Sequence, residues 1–338
     1  MTNDKYSESW LEREFIGYGY DMINPQWPGG AKICVSFIVQ FNTGAEANVM
    51  EGDELSCSDF LEIPKNKPQP RRMEASENMY EFGGKEGVPR LLNTFKKYNI
   101  PVTWNVYTRA LEKSPYWIKP IQESGAEISL GGHLYRNHFD TPPAEEDKLI
   151  NTSIDKLQEL TGDKSLPKGW FTDRRSNMTV KLYSTAHKER SLPLLYSSDS
   201  CSDDIPYWVP SPAQNGGLLM IPFSYDCSDL RFNARGSGWA SPKDYWIHLV
   251  QTFDCLFEEG QEGEPKMMTV LLHPHIIGRA GRTRWFEEFL KYITQHEGVW
   301  IATREQIAEH WTKTHPYDSK KAFGQTKVPE CGKISIPS

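Results

Sequence analysis

Two histidines in the stretch Met267-Met-Thr-Val-Leu-Leu-His-Pro-His-Ile-Ile-Gly-Arg-Ala-Gly-Arg282 carry the chain's clearest case for chemistry. An apolar run ends at His273, and His275 follows after one proline. Imidazole titrates near neutrality, so a histidine delivered to a strand end can serve as general acid or base. The plainer reading is a histidine that merely closes the strand. A second cluster is Gly169-Trp-Phe-Thr-Asp-Arg-Arg-Ser-Asn-Met-Thr179, where Arg174 or Arg175 can clamp a carboxylate or imide oxygen at two points. The alternative is a solvated arginine pair. In Tyr225-Asp-Cys-Ser-Asp-Leu-Arg-Phe232, Asp229 is either a site residue or the structural partner of Arg231. Asp203 and Asp204, before Ile-Pro-Tyr-Trp208, belong to a site or cap a turn.

Groups like these need strands to aim them. Ile33–Phe41 is apolar and β-rich, as a buried strand should be. Val102–Tyr107, Ala126–Leu130, Leu218–Phe223, Thr269–Leu272 and Val299–Ala302 read as further strands. Val88–Tyr98 sets Leu91, Leu92 and Phe95 on one helical face. Trp117–Ser124, Asp147–Thr161, Tyr245–Glu259 and Thr283–His296 are the other helical patterns. Strand then helix, repeated, implies parallel strands with crossover helices. Asn42–Glu81, rich in proline and charge, reads as an elaborated loop, and the chain from Thr314 onward as a surface tail. The expected fold is α/β, a distorted (β/α) barrel with parallel strands. One domain spans residues 1–338, with an N-terminal extension over 1–30 and a C-terminal tail over 314–338. In parallel barrels chemistry sits after the strands' C-terminal ends, here beyond Phe41, Val106, Leu130, Phe223 and Leu272.

Composition narrows the partners. A net charge of −7, with no lysine–arginine cluster, speaks against nucleic acid. The opening residues are polar and no run of about 18 apolar residues occurs, so neither a secretory leader nor a membrane span is expected. The expected location is cytoplasmic and the expected partner a small-molecule substrate. Cys34, Cys57, Cys201, Cys227, Cys255 and Cys331 match no zinc-ribbon or CxxC spacing and read as free, structural thiols.

The order of several blocks resembles the allantoinase-like branch of the polysaccharide-deacetylase (NodB-homology) superfamily. They are Gly19–Gly30, Tyr80-Glu-Phe-Gly83, Pro101-Val-Thr103, Gly169-Trp170, Asp203-Asp-Ile-Pro-Tyr-Trp208, Asp229-Leu-Arg-Phe232, Leu272-His-Pro-His-Ile-Ile-Gly-Arg279, and Val299-Trp-Ile-Ala with Ile307-Ala-Glu-His-Trp311. The resemblance implies a parallel barrel with fewer than eight complete units, a homo-oligomer, and hydrolysis of an amide-type C–N bond.

The chain departs from that pattern where metal should bind. The resemblance calls for a carboxylate pair after the first strand, but Asn42-Thr43 stands there, with Glu46 beyond. It also calls for two histidines four residues apart after a later strand, and Gly131 and Tyr135 fall at those positions. His133 and His138 lie nearby and, with Glu46, are the alternative for a rebuilt metal site. The expected site therefore has no metal and no cofactor. His273, Glu46 and Arg174 are its catalytic candidates. Asn42, Glu81, Trp104, His133, Tyr135, Trp170, Tyr225 and Asp229 are its substrate-binding candidates. Three functions stay open. One is a C–N hydrolase of a small cyclic amide, imide, ureide or N-acyl compound. Another is a metal-free lyase, isomerase or cyclase on a specialised metabolite. The third is a non-catalytic binding protein.

Overall fold

The computed structural model describes residues 13–19, 22–58, 67–213, 216–233 and 238–323. Cys331, the polar start and most of the expected tail lie outside the described residues. The strands are β1 (Ile33–Phe41), β2 (Thr103–Tyr107), β3 (Glu127–Gly132), β4 (Gly169–Trp170), β5 (Tyr196–Ser197), β6 (Tyr207–Pro210), β7 (Gly217–Met220), β8 (Lys266–Leu272) and β9 (Val299–Ile301). The helices are α1 (Glu74–Phe82), α2 (Val88–Tyr98), α3 (Thr108–Lys113), α4 (Ile118–Glu123), α5 (Pro143–Thr161), α6 (Thr179–Glu189), α7 (Pro242–Glu262), α8 (Pro274–Ile277), α9 (Ala280–Ile293) and α10 (Arg304–Thr314).

The strands form one strongly curled sheet in the order β6-β7-β5-β4-β3-β2-β1-β8, with β9 on β1. Every pairing is parallel except β6 with β7, a departure from the all-parallel expectation. Along one edge of β1, β9 pairs with Ile33–Val35 and β2 with Ile38–Phe41. The curl brings β8 back toward the β7 end: Thr269 Oγ1 donates to Pro222 O at 3.2 Å, and Met267 N to Asp204 O at 2.9 Å.

Strand alternation splits the interior in two. Val35, Phe37 and Val39 of β1 join Trp104, Val106, Leu130, Val270 and Leu272 against the helices. Ile38 turns the other way, to Phe171, Phe223 and Leu271 inside the curl.

The expected loop over 42–81 contains α1, whose buried Ser76 and Tyr80 are one helical step of four apart. A wide turn, Gly83–Gly87, joins α1 to α2. Such wide turns recur where a helix meets a functional surface. Here a side chain at Gly83 would collide with Thr43 and His275, and one at Gly87 with Pro274 O, so the glycines let this rod lie directly on the His-Pro-His segment.

Candidate functional site

His273 follows β8 in extended backbone and is wholly buried. Val39 pairs with Leu272, so Gln40 and His273 stand level one residue further along. Asp229, in the loop after β7, accepts from His273 Nδ1 at 2.7 Å with one oxygen and from His273 N at 2.7 Å with the other. A carboxylate only accepts, so Nδ1 carries the proton and Nε2 presents its lone pair. Nε2 has no partner. Of the two readings open for Asp229, the site role fits: it holds His273, the place of a positioning group rather than a substrate contact, and Arg231 pairs with Asp226.

A polar girdle lines the curl beside the dyad. Asn105 Nδ2 donates to Gln40 Oε1 and to Phe171 O, and Ser129 Oγ donates to Asn105 Oδ1 at 2.8 Å. Among the described residues, Gln40 Nε2 and both amide atoms of the fully buried Asn42 have no partner. Buried polar atoms without partners are costly, so they mark a place where a ligand or water must supply the bonds.

The positions that the resemblance assigns to metal do not suit one. Asn42 and Tyr135 offer no charged ligand. At Gly131, a Cβ would lie 2.5 Å from Tyr107 Cζ and 2.9 Å from Asn105 Nδ2. The Tyr107 ring thus fills the space of a side chain at 131, anchored by its hydroxyl on Thr172 O at 3.0 Å. The alternative set does not assemble either. His133 Nδ1 is bonded to Thr108 Oγ1, and burial lowers its pKa. Burial also lowers His138, to about 4, while its backbone N–H donates to Arg174 O. Neither groups with Glu46 at ligand spacing among the described residues.

Arg174 lies over the Tyr135 ring at 4.7 Å, and Tyr135 meets Tyr107 edge-on at 5.2 Å. Tyr225, exposed, donates to Asp173 Oδ1 at 2.9 Å across the strand ends. Asp173 has φ +67° and sits inside the Arg174 N to Thr172 O bond, a tight three-residue turn that strains a non-glycine residue.

Glu46 lines a neighbouring cleft of about 660 Å³ with Thr43, Glu77, Tyr80, Glu81 and Trp117. Burial pushes its carboxyl up to about 7, although Gly44 N donates to it at 2.7 Å. Asn42 and His273 are not among the walls of this cleft. The Tyr80 ring packs against His275 at 4.5 Å, tilted by 37°, and His275 lies 5.9 Å from His273, ring to ring. Glu81 is on the rim and paired with Lys85 at 2.6 Å.

Trp104 and Trp170 are corrected outright as substrate contacts. Trp104 packs on Phe41 at 6.1 Å on the helix side, and Trp170 stacks on Tyr183 at 4.8 Å while donating to His187 Nε2. Sequence reasoning missed Gln40, Asn105 and Tyr107. Their one signal was polar residues at alternate positions of otherwise apolar strands.

Comparison with known proteins places the chain among relatives. The family model described as Polysaccharide deacetylase matches residues 77–182. A Schizosaccharomyces pombe protein carrying the polysaccharide deacetylase name is 36% identical over 306 residues, 87% of this chain and 94% of that protein. The crystal structure titled a probable polysaccharide deacetylase from Pseudomonas aeruginosa superposes with TM-score 0.84 at 35% identity, covering 90% of this chain and 99% of that one. That of PuuE allantoinase gives TM-score 0.84 at 34% identity, covering 92% and 100%.

Proposed function

The chain belongs to the polysaccharide deacetylase family, whose allantoinase-like members hydrolyse C–N bonds, and from that premise we propose a metal-independent hydrolase of a small cyclic amide, imide or ureide. The observation that carries this reading is the buried Asp229–His273 dyad, with Nε2 unpaired beside the unpaired amides of Asn42 and Gln40.

Asp229 fixes the tautomer, so His273 Nε2 takes a proton from water as the water oxygen attacks the carbonyl carbon. The same nitrogen then passes that proton to the leaving nitrogen as the C–N bond breaks. Asn42 presents a donor and an acceptor side by side. In a ring, an amide C=O and N–H lie on one edge and meet such a pair together. In an open-chain trans amide they point apart. Gln40 Nε2 supplies a further donor toward oxygen that gains charge. Arg174, over the Tyr135 ring, and Tyr225 orient the substrate at the strand ends, while Glu46, in a separate cleft, stays outside the proton path.

The test uses chelator-treated full-length protein with hydantoins, lactams and cyclic imides beside N-acetylated sugars. Ring opening in the first group, abolished by His273→Ala, is the expected result. Turnover that appears only on adding a divalent metal overturns the metal-free reading. Turnover without incorporation of labelled oxygen from water replaces hydrolysis with a lyase or isomerase reaction.

A further inference from the structure

We propose that Asp226, Cys227 and His248 form a binding site for a thiophilic divalent cation of the zinc class, separate from the dyad. One donor atom from each residue lies within 4.8 Å of the others. The His248 ring nitrogen Nε2 and Asp226 Oδ2 are already 2.7 Å apart, and the buried Cys227 sits beside them.

The turn carrying Asp226 and Cys227 is tied to one helix. Cys227 O accepts from Tyr245 OH at 3.0 Å, and Tyr245 belongs to α7, the helix that carries His248 nearly one turn later. The Cys227 side chain is packed in the main core, whereas His248 is half-buried and Asp226 exposed, so a cation has a path in from solvent. One sulfur, one imidazole nitrogen and one carboxylate oxygen are the donors that zinc takes in tetrahedral sites, with water as the fourth ligand. Magnesium and calcium prefer all-oxygen sets and gain little from a thiol.

Binding requires three exchanges, the first at His248: Nε2 carries the proton it donates to Asp226 Oδ2, and that proton must move to Nδ1 or to solvent before the nitrogen lone pair can meet the ion. The Cys227 thiol, pushed up to about 12 mainly by burial, gives its proton to solvent as the metal–sulfur bond forms, so affinity rises with pH. Asp226 Oδ2 exchanges its bond to His248 for the ion, while Oδ1 stays on Arg231, which lies over the Trp239 ring at 4.4 Å. The ion would brace the loop that carries Asp229 two residues beyond Cys227. The proposal stands whether or not the chain hydrolyses amides.

The probe is Cd²⁺ added to full-length protein, read by the ultraviolet thiolate-to-metal absorption, with Zn²⁺ as competitor. One equivalent should bind and be displaced by zinc. Cys227→Ser should abolish the band, and His248→Ala should weaken binding by about tenfold or more. A chain carrying Cys57→Ser, Cys201→Ser, Cys255→Ser and Cys331→Ser together should keep the band. Absence of a stoichiometric band, or a band that survives Cys227→Ser, overturns the site. If Cys227→Ser fails to fold, unchanged affinity in both Asp226→Asn and His248→Ala overturns it equally.

Discussion

Asp229 grips His273 at two points, Oδ1 on the ring Nδ1 and Oδ2 on the backbone N–H, each at 2.7 Å. The loop after β7 thereby fixes both the rotation of the imidazole and the place where β8 ends. Asp229→Asn would keep the shape but can offer Nδ1 a donor, which favours the tautomer with the proton on Nε2 and removes the base. We expect kcat to fall by about 10²- to 10⁴-fold with little change in KM. The double variant Asp229→Asn/His273→Ala should be no slower than His273→Ala alone, since the two act as one unit. Additive losses in steady-state kinetics would show that Asp229 acts independently of His273.

Tyr107 occupies the space beside Gly131, so position 131 should tolerate no side chain. Gly131→Ala should cost about 1–3 kcal/mol through overpacking, measured by urea unfolding. Gly281→Ala is the control: it sits in the first turn of α9 with nothing within 4 Å of its Cβ. That change should be neutral or stabilising by up to about 1 kcal/mol. Equal effects at the two positions would mean that the Tyr107 ring yields easily and the space is not committed.

Glu46 ties stability to pH with a definite sign. Its carboxyl stands at 4.5 ordinarily and about 7 in the fold, so the folded state binds more protons between those values. Stability is therefore lost as pH rises from 4.5 through 7, and the full penalty, about 3 kcal/mol at most, persists above. Glu46→Gln should match the parent in unfolding midpoint near pH 4 and exceed it at pH 8. Parallel stability curves for the two proteins across that range would refute the shift.

Much of this architecture was legible in the chain. Ile33–Phe41 is β1 residue for residue, and Val88–Tyr98 is α2, because long apolar or amphipathic runs leave little choice. β4 and β5, two residues each, have no periodicity to read, and proline and charge around residues 64–72 masked α1. Trp104 and Trp170 misled because a strand inside a barrel is buried on both faces, so hydrophobicity alone does not say which side is the site. Asn105, next to Trp104, carried that information: its polar group turns inward to Gln40, and the tryptophan must turn out. His273 stood out as a polar residue ending an apolar run. Its bond to Asp229, 44 positions earlier, and the Tyr107–Gly131 contact belong to tertiary structure and have no local signal.

The opposite end of the curl is built on charge and should govern stability without touching the site. Arg304 is wholly buried and donates to Pro222 O at 2.8 Å and Thr269 Oγ1 at 3.2 Å. Glu127 accepts from Tyr196 OH at 2.6 Å, Thr103 Oγ1 at 2.7 Å and Glu305 N at 2.9 Å. Thr103 Oγ1 also accepts from Arg304 N at 3.0 Å, linking the two ions. Burial brings Arg304 down to about 10, opposed by the attraction of Tyr196 and Glu127. Removing one ion strands the other in a dry interior, so Glu127→Leu or Arg304→Met should each cost about 3–5 kcal/mol. The pair changed together should cost clearly less than the two losses combined, because no uncompensated charge is left. Chemical denaturation of the three variants measures this, and strictly additive losses would mean that each ion is satisfied by its own hydrogen bonds. In conditions where the variants remain folded, turnover should be unchanged, since Glu127 opens β3 and Arg304 opens α10, whereas His273 follows the end of β8.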